Sequence, residues 1–380
     1  MNASHAALLL GDRPAALAAG PVVATLAEAR QWCGQGVAAP AAARCLRESG
    51  APAVCIVDFE GGSGLHWLDT PHARGWLAPA RAGGAAPGFA REWSAALARG
   101  FVAADAAVIA LMACAAGADA LRDGSFMTDP PLLPRLSWGE AARFGERGAG
   151  SARPIGLYPL VDSAQRVAQA LAAGITTIQL RIKRPPLPDG AWEATLRREV
   201  EGSLAACRQA GAELYVNDHW RLALELGAFG VHLGQEDLVA LGEDDRAALL
   251  AGGIALGVSS HSLWELCRAA ALAPRYVACG PVWPTQTKDM PWLPQGLDNL
   301  AWWCRMAPAP VVAIGGILGP EQVRQAARSG ADGVCIVRGL GEQPRQTVPP
   351  LQAALEAGRR EHAAAPPPPA WPHPSLAPAH

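Results

Sequence analysis

Several short stretches of this chain carry residue types that could bind and move phosphorylated groups. In Thr177–Lys183 the side chains of Gln179, Arg181 and Lys183 recur at every second residue. An extended backbone would put them on one face, where an amide and two cations make a grip for an oxyanion, unless they are the ordinary charges of a solvated strand end. Asp218 and Asp237 each follow a short apolar run, and together they would offer the one or two carboxylates with which Mg²⁺ is held while water and phosphate oxygens complete its octahedron. Both also read as helix caps, Asp218 for the helix entered at Trp220 and Asp237 for the next turn. Asn217 would be a neutral donor beside that metal position. Gly315-Gly316 removes two side chains, either to let backbone N–H groups approach a phosphate or to make a tight turn, and Arg338 lies where it could add a charge. Thr285-Gln286-Thr287-Lys288 follows a Gly280-Pro281 stop. That loop could touch ligands on both sides, with Lys288 over the more negative group.

The elements that must position these residues follow from the rhythm of apolar runs after residue 150. Runs at Gly156–Val161, Thr177–Leu180, Glu213–Val216, Gly230–Leu233, Ala255–Val258, Tyr276–Cys279, Val311–Ile314 and Gly333–Val337 predict eight strands. Segments with helical spacing separate them, at Ala164–Ala173, Trp192–Ala210, Trp220–Leu226, Leu263–Leu272, Leu297–Met306 and Pro320–Ser329. This alternation predicts an α/β protein with a (β/α)₈ TIM barrel. The alternative, an open doubly wound sheet, lacks a Gly-x-Gly-x-x-Gly turn after its first strand. A barrel gathers its active site at the carboxyl ends of the strands, and nearly every strand here delivers a polar or glycine cluster at that end, including Ser259-Ser260-His261-Ser262 after the fifth.

Composition bounds the rest. A chain of 380 residues exceeds one small domain, and a change of composition near residue 150 divides it into 1–150 and a barrel over 151–345. Residues 360–380, rich in proline and alanine, are expected to be a disordered tail. A net charge of -2 without a Lys/Arg run excludes a nucleic-acid surface, and no run of about 18 apolar residues predicts a membrane span. The amino terminus lacks the pattern of a secretory signal, which leads to a cytoplasmic expectation. The nine cysteines are scattered without Cys-x-x-Cys spacing and are expected to be reduced, mostly buried apolar residues.

The motifs "IQLRIK", "VNDHWRLALELGAFGVHLGQEDL", "LGVSSHS", "CGPVWPTQTKD", "VVAIGGI" and "GADGVCIVRGL", in that order, resemble the thiamine-phosphate synthase (thiamine-phosphate pyrophosphorylase) family over about residues 154–340. The resemblance implies a transferase of thiamine biosynthesis that couples hydroxymethylpyrimidine diphosphate with a thiazole phosphate and releases diphosphate. It implies that Gln179, Leu180, Arg181, Ile182, Lys183, Asn217, Ser259 and Lys288 bind the pyrimidine diphosphate. Arg181, Lys288 and Ser259 would stand nearest the reacting centre, and Asp218 and Asp237 would hold Mg²⁺. Thr285, Gln286, Thr287, Gly316, Val337 and Arg338 would hold the thiazole phosphate. The strand-eight turn departs from the family pattern: relatives usually carry a serine there, whereas this chain has Ile336-Val337-Arg338-Gly339-Leu340. Backbone contacts to phosphate would survive the change, while Arg338 could add a contact or fill the pocket.

A stretch over about residues 50–125 is similar to the carboxyl-terminal half of hydroxymethylpyrimidine (phosphate) kinases of the ribokinase-like fold. Where those kinases have a Gly-Thr-Gly-Cys anion hole, this chain reads Gly83-Gly84-Ala85-Ala86-Pro87-Gly88, without hydroxyl or thiol. The first 150 residues are therefore expected to be a smaller, degenerate ribokinase-like α/β domain. Trp283 and Trp292 read as loop packing or ring-stacking residues, and His261 as a hydrogen-bonded loop histidine or an acid/base. The partners expected are small-molecule substrates, with a homo-oligomer possible. Competing readings are a thiazole tautomerase-like paralogue or a non-catalytic binder of phosphate ligands.

Overall fold

The computed structural model describes residues 8–9, 20–59, 63–79, 81, 85–145, 153–284 and 291–376. The first part contains β1 (Leu8–Leu9), β2 (Val22–Thr25), α1 (Leu26–Cys33), α2 (Ala39–Glu48), β3 (Val54–Val57), β4 (His66–Asp69) and β5 (Arg74–Ala78). These are followed by α3 (Ala86–Ala98), α4 (Ala103–Ala115), α5 (Ala118–Asp123) and β6 (Arg135–Leu136). The strands form one sheet in chain order, parallel from β1 to β3 and antiparallel from β3 to β6. Cys33 and Cys45 pair as a disulfide, with Cα atoms 6.1 Å apart. This corrects the expectation of reduced thiols for that pair; the other seven cysteines are free, and five of them are buried. The pairing depends on α1 and α2 packing side by side, which a spacing of twelve residues does not announce.

The second part is a closed, all-parallel barrel of eight strands. They are β7 (Gly156–Val161), β8 (Thr177–Leu180), β9 (Glu213–Asn217), β10 (Gly230–Leu233), β11 (Ala255–Ser260), β12 (Tyr276–Cys279), β13 (Val311–Ala313) and β14 (Gly333–Ile336), with β14 pairing back to β7. Its helices are α6 (Ala164–Leu171), α7 (Gly190–Ala210), α8 (Trp220–Glu225), α9 (Gln235–Ala240), α10 (Gly242–Ala251), α11 (Leu263–Ala270), α12 (Gly296–Met306), α13 (Pro320–Arg328) and α14 (Pro344–His362). Most strands are buried on both faces, as expected when helices cover the outside and side chains fill the inside. Among the described residues no helix is long and apolar enough to cross a membrane.

The three tyrosines of the chain, Tyr158, Tyr215 and Tyr276, meet inside the barrel at edge-to-face angles of 70° to 83° with ring centroids 5.3–5.7 Å apart. Glycines make room for them. A Cβ on Gly230 would fall 2.5 Å from the Tyr215 ring, and one on Gly257 would strike the Tyr276 ring.

The two parts share one apolar core. The sequence of α4, "AADAAVIALMACA", is apolar all round, so it needs cover on every side. It receives it from α3 and from α11 of the barrel. Asp105 of α4 is 1% exposed, and its Oδ1 accepts a hydrogen bond of 2.9 Å from Trp264 N in the first turn of α11. The Trp302 indole and the Arg305 guanidinium donate to Met127 O and Thr128 O.

Of the tail expected to be disordered, 360–380, residues 360–376 are described and pack as follows, and 377–380 lie outside the described residues. The last helix, α14, reaches His362, and Trp371–Leu376 packs on the molecule: Trp371 lies edge-on to Phe126 at 5.5 Å with Arg99 over its ring at 4.1 Å. Proline-rich backbone has little conformational freedom to lose, so one well-seated tryptophan can hold it.

Candidate active site

A cavity of about 680 Å³ opens at the carboxyl ends of the barrel strands, and every described residue lining it falls between Leu160 and Glu342. This is a size typical of small-molecule sites. On one side stand Gln179 and Arg181 from the end of β8, Asn217 and Asp218 from β9, Asp237 beyond β10, and Ser259 of β11. On the other stand Gly315, Gly316, Val337 and Arg338, after β13 and β14.

Not every residue singled out from the sequence reaches this cavity. Leu180 is 1% exposed and packs in the core, Ile182 packs against that same core, and Lys183 is exposed and does not line the wall. The alternation that would put Gln179, Arg181 and Lys183 on one face ends with the strand at Leu180. Thr285, Gln286, Thr287 and Lys288 lie outside the described residues.

The two glycines after β13 have a packing reason of their own. Gly315 and Gly316 sit at φ 96° and 72°, and a Cβ on each would fall within 2.6 Å of Pro281 and Trp283. Close approach of the strand-six loop thus requires both, whatever else their N–H groups meet.

Asp218 holds a left-handed backbone, φ 64°, which aspartate tolerates better than most residues. Burial first, and then the charge of Asp237, raise its carboxyl above the usual range. His219, Arg181 and a hydrogen bond from Asn217 act in the opposite direction. Its side chain does not cap the following helix, whose first turn has no side-chain cap. Asp237 does cap: one of its oxygens accepts from Gly234 N at 3.0 Å, closing the first turn of α9. Among the described residues no group of three or more His, Cys, Asp or Glu could hold a metal ion. Two neighbouring carboxylates at an open cavity suit a hard cation that keeps water and ligand oxygens, and do not suit a zinc cage.

A buried relay, absent from the sequence reading, crosses the barrel from Gln179 to Ser259. Gln179 Nε2 donates to the Tyr158 hydroxyl (3.1 Å), which lies 2.7 Å from that of Tyr276; the latter lies 2.7 Å from His232 Nδ1, and His232 Nε2 lies 2.9 Å from Ser259 Oγ. Burial, aided by Arg181, lowers the His232 imidazole to about 4, so it is neutral at neutral pH and carries one ring proton. Gln179 Nε2 donates at one end, and one polarity that satisfies every link runs Gln179 to Tyr158, to Tyr276, to His232 Nδ1, with the proton on Nε2 directed to Ser259 Oγ. The Ser259 proton is then left for the cavity. At the other end Gln179 Oε1 is buried without a hydrogen-bond partner, an acceptor beside the space a ligand would fill. A signal was present in the sequence: Tyr158, His232 and Tyr276 are polar residues inside short buried strands.

The family model described as thiamine monophosphate synthase matches residues 157–340. A thiamine-phosphate synthase of Rhizobium etli is 45% identical over 188 residues, 49% of this chain and 87% of that protein. One of Neisseria meningitidis serogroup B is 41% identical over 203 residues, 53% of this chain and 94% of that protein. Among solved structures, a thiamine phosphate pyrophosphorylase from Pyrococcus furiosus is 28% identical with a TM-score of 0.46, covering 54% of this chain and 97% of that one.

Proposed function

The chain belongs to the thiamine-phosphate synthase family, and from that premise we propose that its barrel mouth couples a hydroxymethylpyrimidine diphosphate with a thiazole phosphate, releasing diphosphate. The observation that carries this reading is the meeting of Arg181, Asp218, Asp237 and Ser259, from four different strand ends, at one cavity.

In this reading Gln179 Oε1 accepts from the amino group of the pyrimidine, and the outward proton of Ser259 is donated to the same substrate. Arg181 has no ion pair among the described residues, so its charge is available to the departing diphosphate. Asp218 and Asp237 would hold Mg²⁺, whose bound charge would offset that of the diphosphate oxygens. The carbon–oxygen bond of the pyrimidine methylene breaks with its electron pair leaving on diphosphate, and the thiazole nitrogen supplies the pair for the new carbon–nitrogen bond. That nitrogen carries no proton to lose, so the scheme needs no general base. The chain's part is to orient both rings, exclude water and stabilise charge that develops on the leaving group. Thr285, Gln286, Thr287, Lys288, Gly316, Val337 and Arg338 are assigned here to the phosphate groups. Residues 1–150 are assigned a structural role, supported by the burial of α4 against the barrel.

The test is direct. Protein incubated with both substrates and Mg²⁺ should yield thiamine phosphate and diphosphate in equal amounts. Folded protein that yields neither would refute the reading.

A further inference from the structure

We propose that Trp292, stacked on His261 and braced by the carboxyl-terminal segment Trp371–Leu376, forms a wall against which the pyrimidine ring of the substrate lies. This deepens the reading above and rests on it.

The rings of Trp292 and His261 are nearly parallel, 7° apart with centroids 5.1 Å apart, and both residues line the cavity. A stack of two flat rings at a cavity edge is a surface for a third flat ring. Its position selects the ring. His261 lies two residues beyond Ser259, at the tip of β11, and β11 neighbours β10, whose following helix α9 carries Asp237 in its first turn. His261 therefore stands beside Ser259 on the diphosphate side of the mouth, with β12 between β11 and β13, the strand before Gly316.

His261 is gripped at three points. Its Nδ1 lies 2.9 Å from Glu265 Oε2, its backbone N–H donates to the same oxygen, and its carbonyl accepts from Gln295 Nε2 at 2.7 Å. The Gln295 and Asn299 side chains are buried, at 0% and 1% exposure, and Asn299 Nδ2 donates to Gln295 Oε1 at 2.9 Å. Asn299 also clamps the backbone of His373 through both of its amide atoms, at 2.8 and 3.1 Å. Trp292 itself pairs with Leu376 in an isolated antiparallel bridge, and Leu293 N donates to Ser375 O at 2.8 Å. Behind these contacts the segment is anchored by Trp371 against Phe126 and Arg99 of the first part of the chain. Glu265, Gln295 and Asn299 lie within residues 157–340, the span matched by the family, whereas the contacts from His373, Ser375, Leu376, Trp371, Phe126 and Arg99 come from outside it. Residues 371–376 thus act as a positioning element that lies outside the span matched by the family model.

Steady-state kinetics on the full chain test this. Trp292→Ala should raise KM for the pyrimidine diphosphate about tenfold, while kcat and KM for the thiazole phosphate stay within about twofold; Trp292→Phe should restore most of the loss. Trp371→Ala should give the same pattern more weakly, and Trp371→Phe should restore it, with melting curves recorded for each variant. A purely structural role would lower the folded fraction and move neither KM. An active wild type with an unchanged pyrimidine KM in Trp292→Ala overturns the wall, as does a rise confined to the thiazole KM. An unchanged pyrimidine KM in folded Trp371→Ala overturns the bracing. A wild type without product would refute the synthase reading and this inference together.

Discussion

The first part of the chain and the barrel mouth treat buried charge in opposite ways. In the first part, Asp69 is 1% exposed and is held between Arg47 and Arg74 at 3.4 and 3.0 Å. His66, lowered to about 4 by burial, accepts from Asp58 N, and Asp105 is spent on the first turn of α11. At the barrel mouth the logic reverses. Asp218 faces a second carboxylate, Arg181 has no ion pair among the described residues, and Gln179 Oε1 has no hydrogen-bond partner. Other buried atoms of the described residues, Trp67 Nε1 and Tyr215 Oη among them, also lack a partner, but Gln179 lines the cavity, where a ligand can supply one. One region uses charge to hold itself together; the other keeps it in reserve.

The largest effect expected from this contrast is at Asp218. Asp218→Asn keeps the shape and tolerates the positive φ, so turnover should fall by roughly two to three orders of magnitude while the melting temperature stays level or rises, because repulsion with Asp237 is relieved. Assays at limiting Mg²⁺ should also weaken on acidification from a pH above the ordinary aspartate range, since protonation removes the metal ligand and the carboxyl is raised. A large loss of stability with kcat intact would place Asp218 with the structural charges.

Asp69→Asn should do the reverse. Breaking its ion pairs should cost about 1–3 kcal/mol in urea unfolding, Arg74 being half exposed, with kcat of the folded protein unchanged. A fall in kcat matching that at the barrel mouth would erase the contrast.

Asp105 sharpens the comparison through pH. Burial raises its carboxyl to about 7, so between about pH 4 and 7 the native state keeps a proton that the unfolded chain releases. Stability from this group is therefore present at the acidic end and declines as pH rises, by on the order of 4 kcal/mol across that window. Asp105→Asn should flatten that part of the slope, and urea midpoints at pH 5 and 7.5 would check it. The smallest effect is expected from Tyr276→Phe, which cuts the relay between Tyr158 and His232. A fall in kcat/KM of about tenfold is expected, because Ser259 loses the alignment of its proton without losing its hydroxyl. An unchanged value would make the relay packing alone.

Much of the barrel was legible beforehand, and particular elements show why. Strands such as Tyr276–Cys279 and Val311–Ala313 are buried on both faces, so their sequences are short continuous apolar runs. The helices Gln235–Ala240 and Gly242–Ala251 escaped because they are short and joined almost directly, which blurs their period. At the site, Arg181 and Asp218 could be found because they are charged residues placed directly after apolar runs. His232, Tyr158 and Tyr276 were passed over as strand interior, although the same alternation that buries a strand aims alternate side chains at the barrel axis.

By itself, the sequence determined local alternation, strand ends and the order of polar tips, because these depend on residues close together along the chain. Only the tertiary structure decided that Cys33 meets Cys45, that Trp371 seats between Phe126 and Arg99, and that Gln179 speaks to Ser259 through two tyrosines and a histidine. Each of these joins residues that a chain brings together only when its core closes, and no local period encodes that meeting.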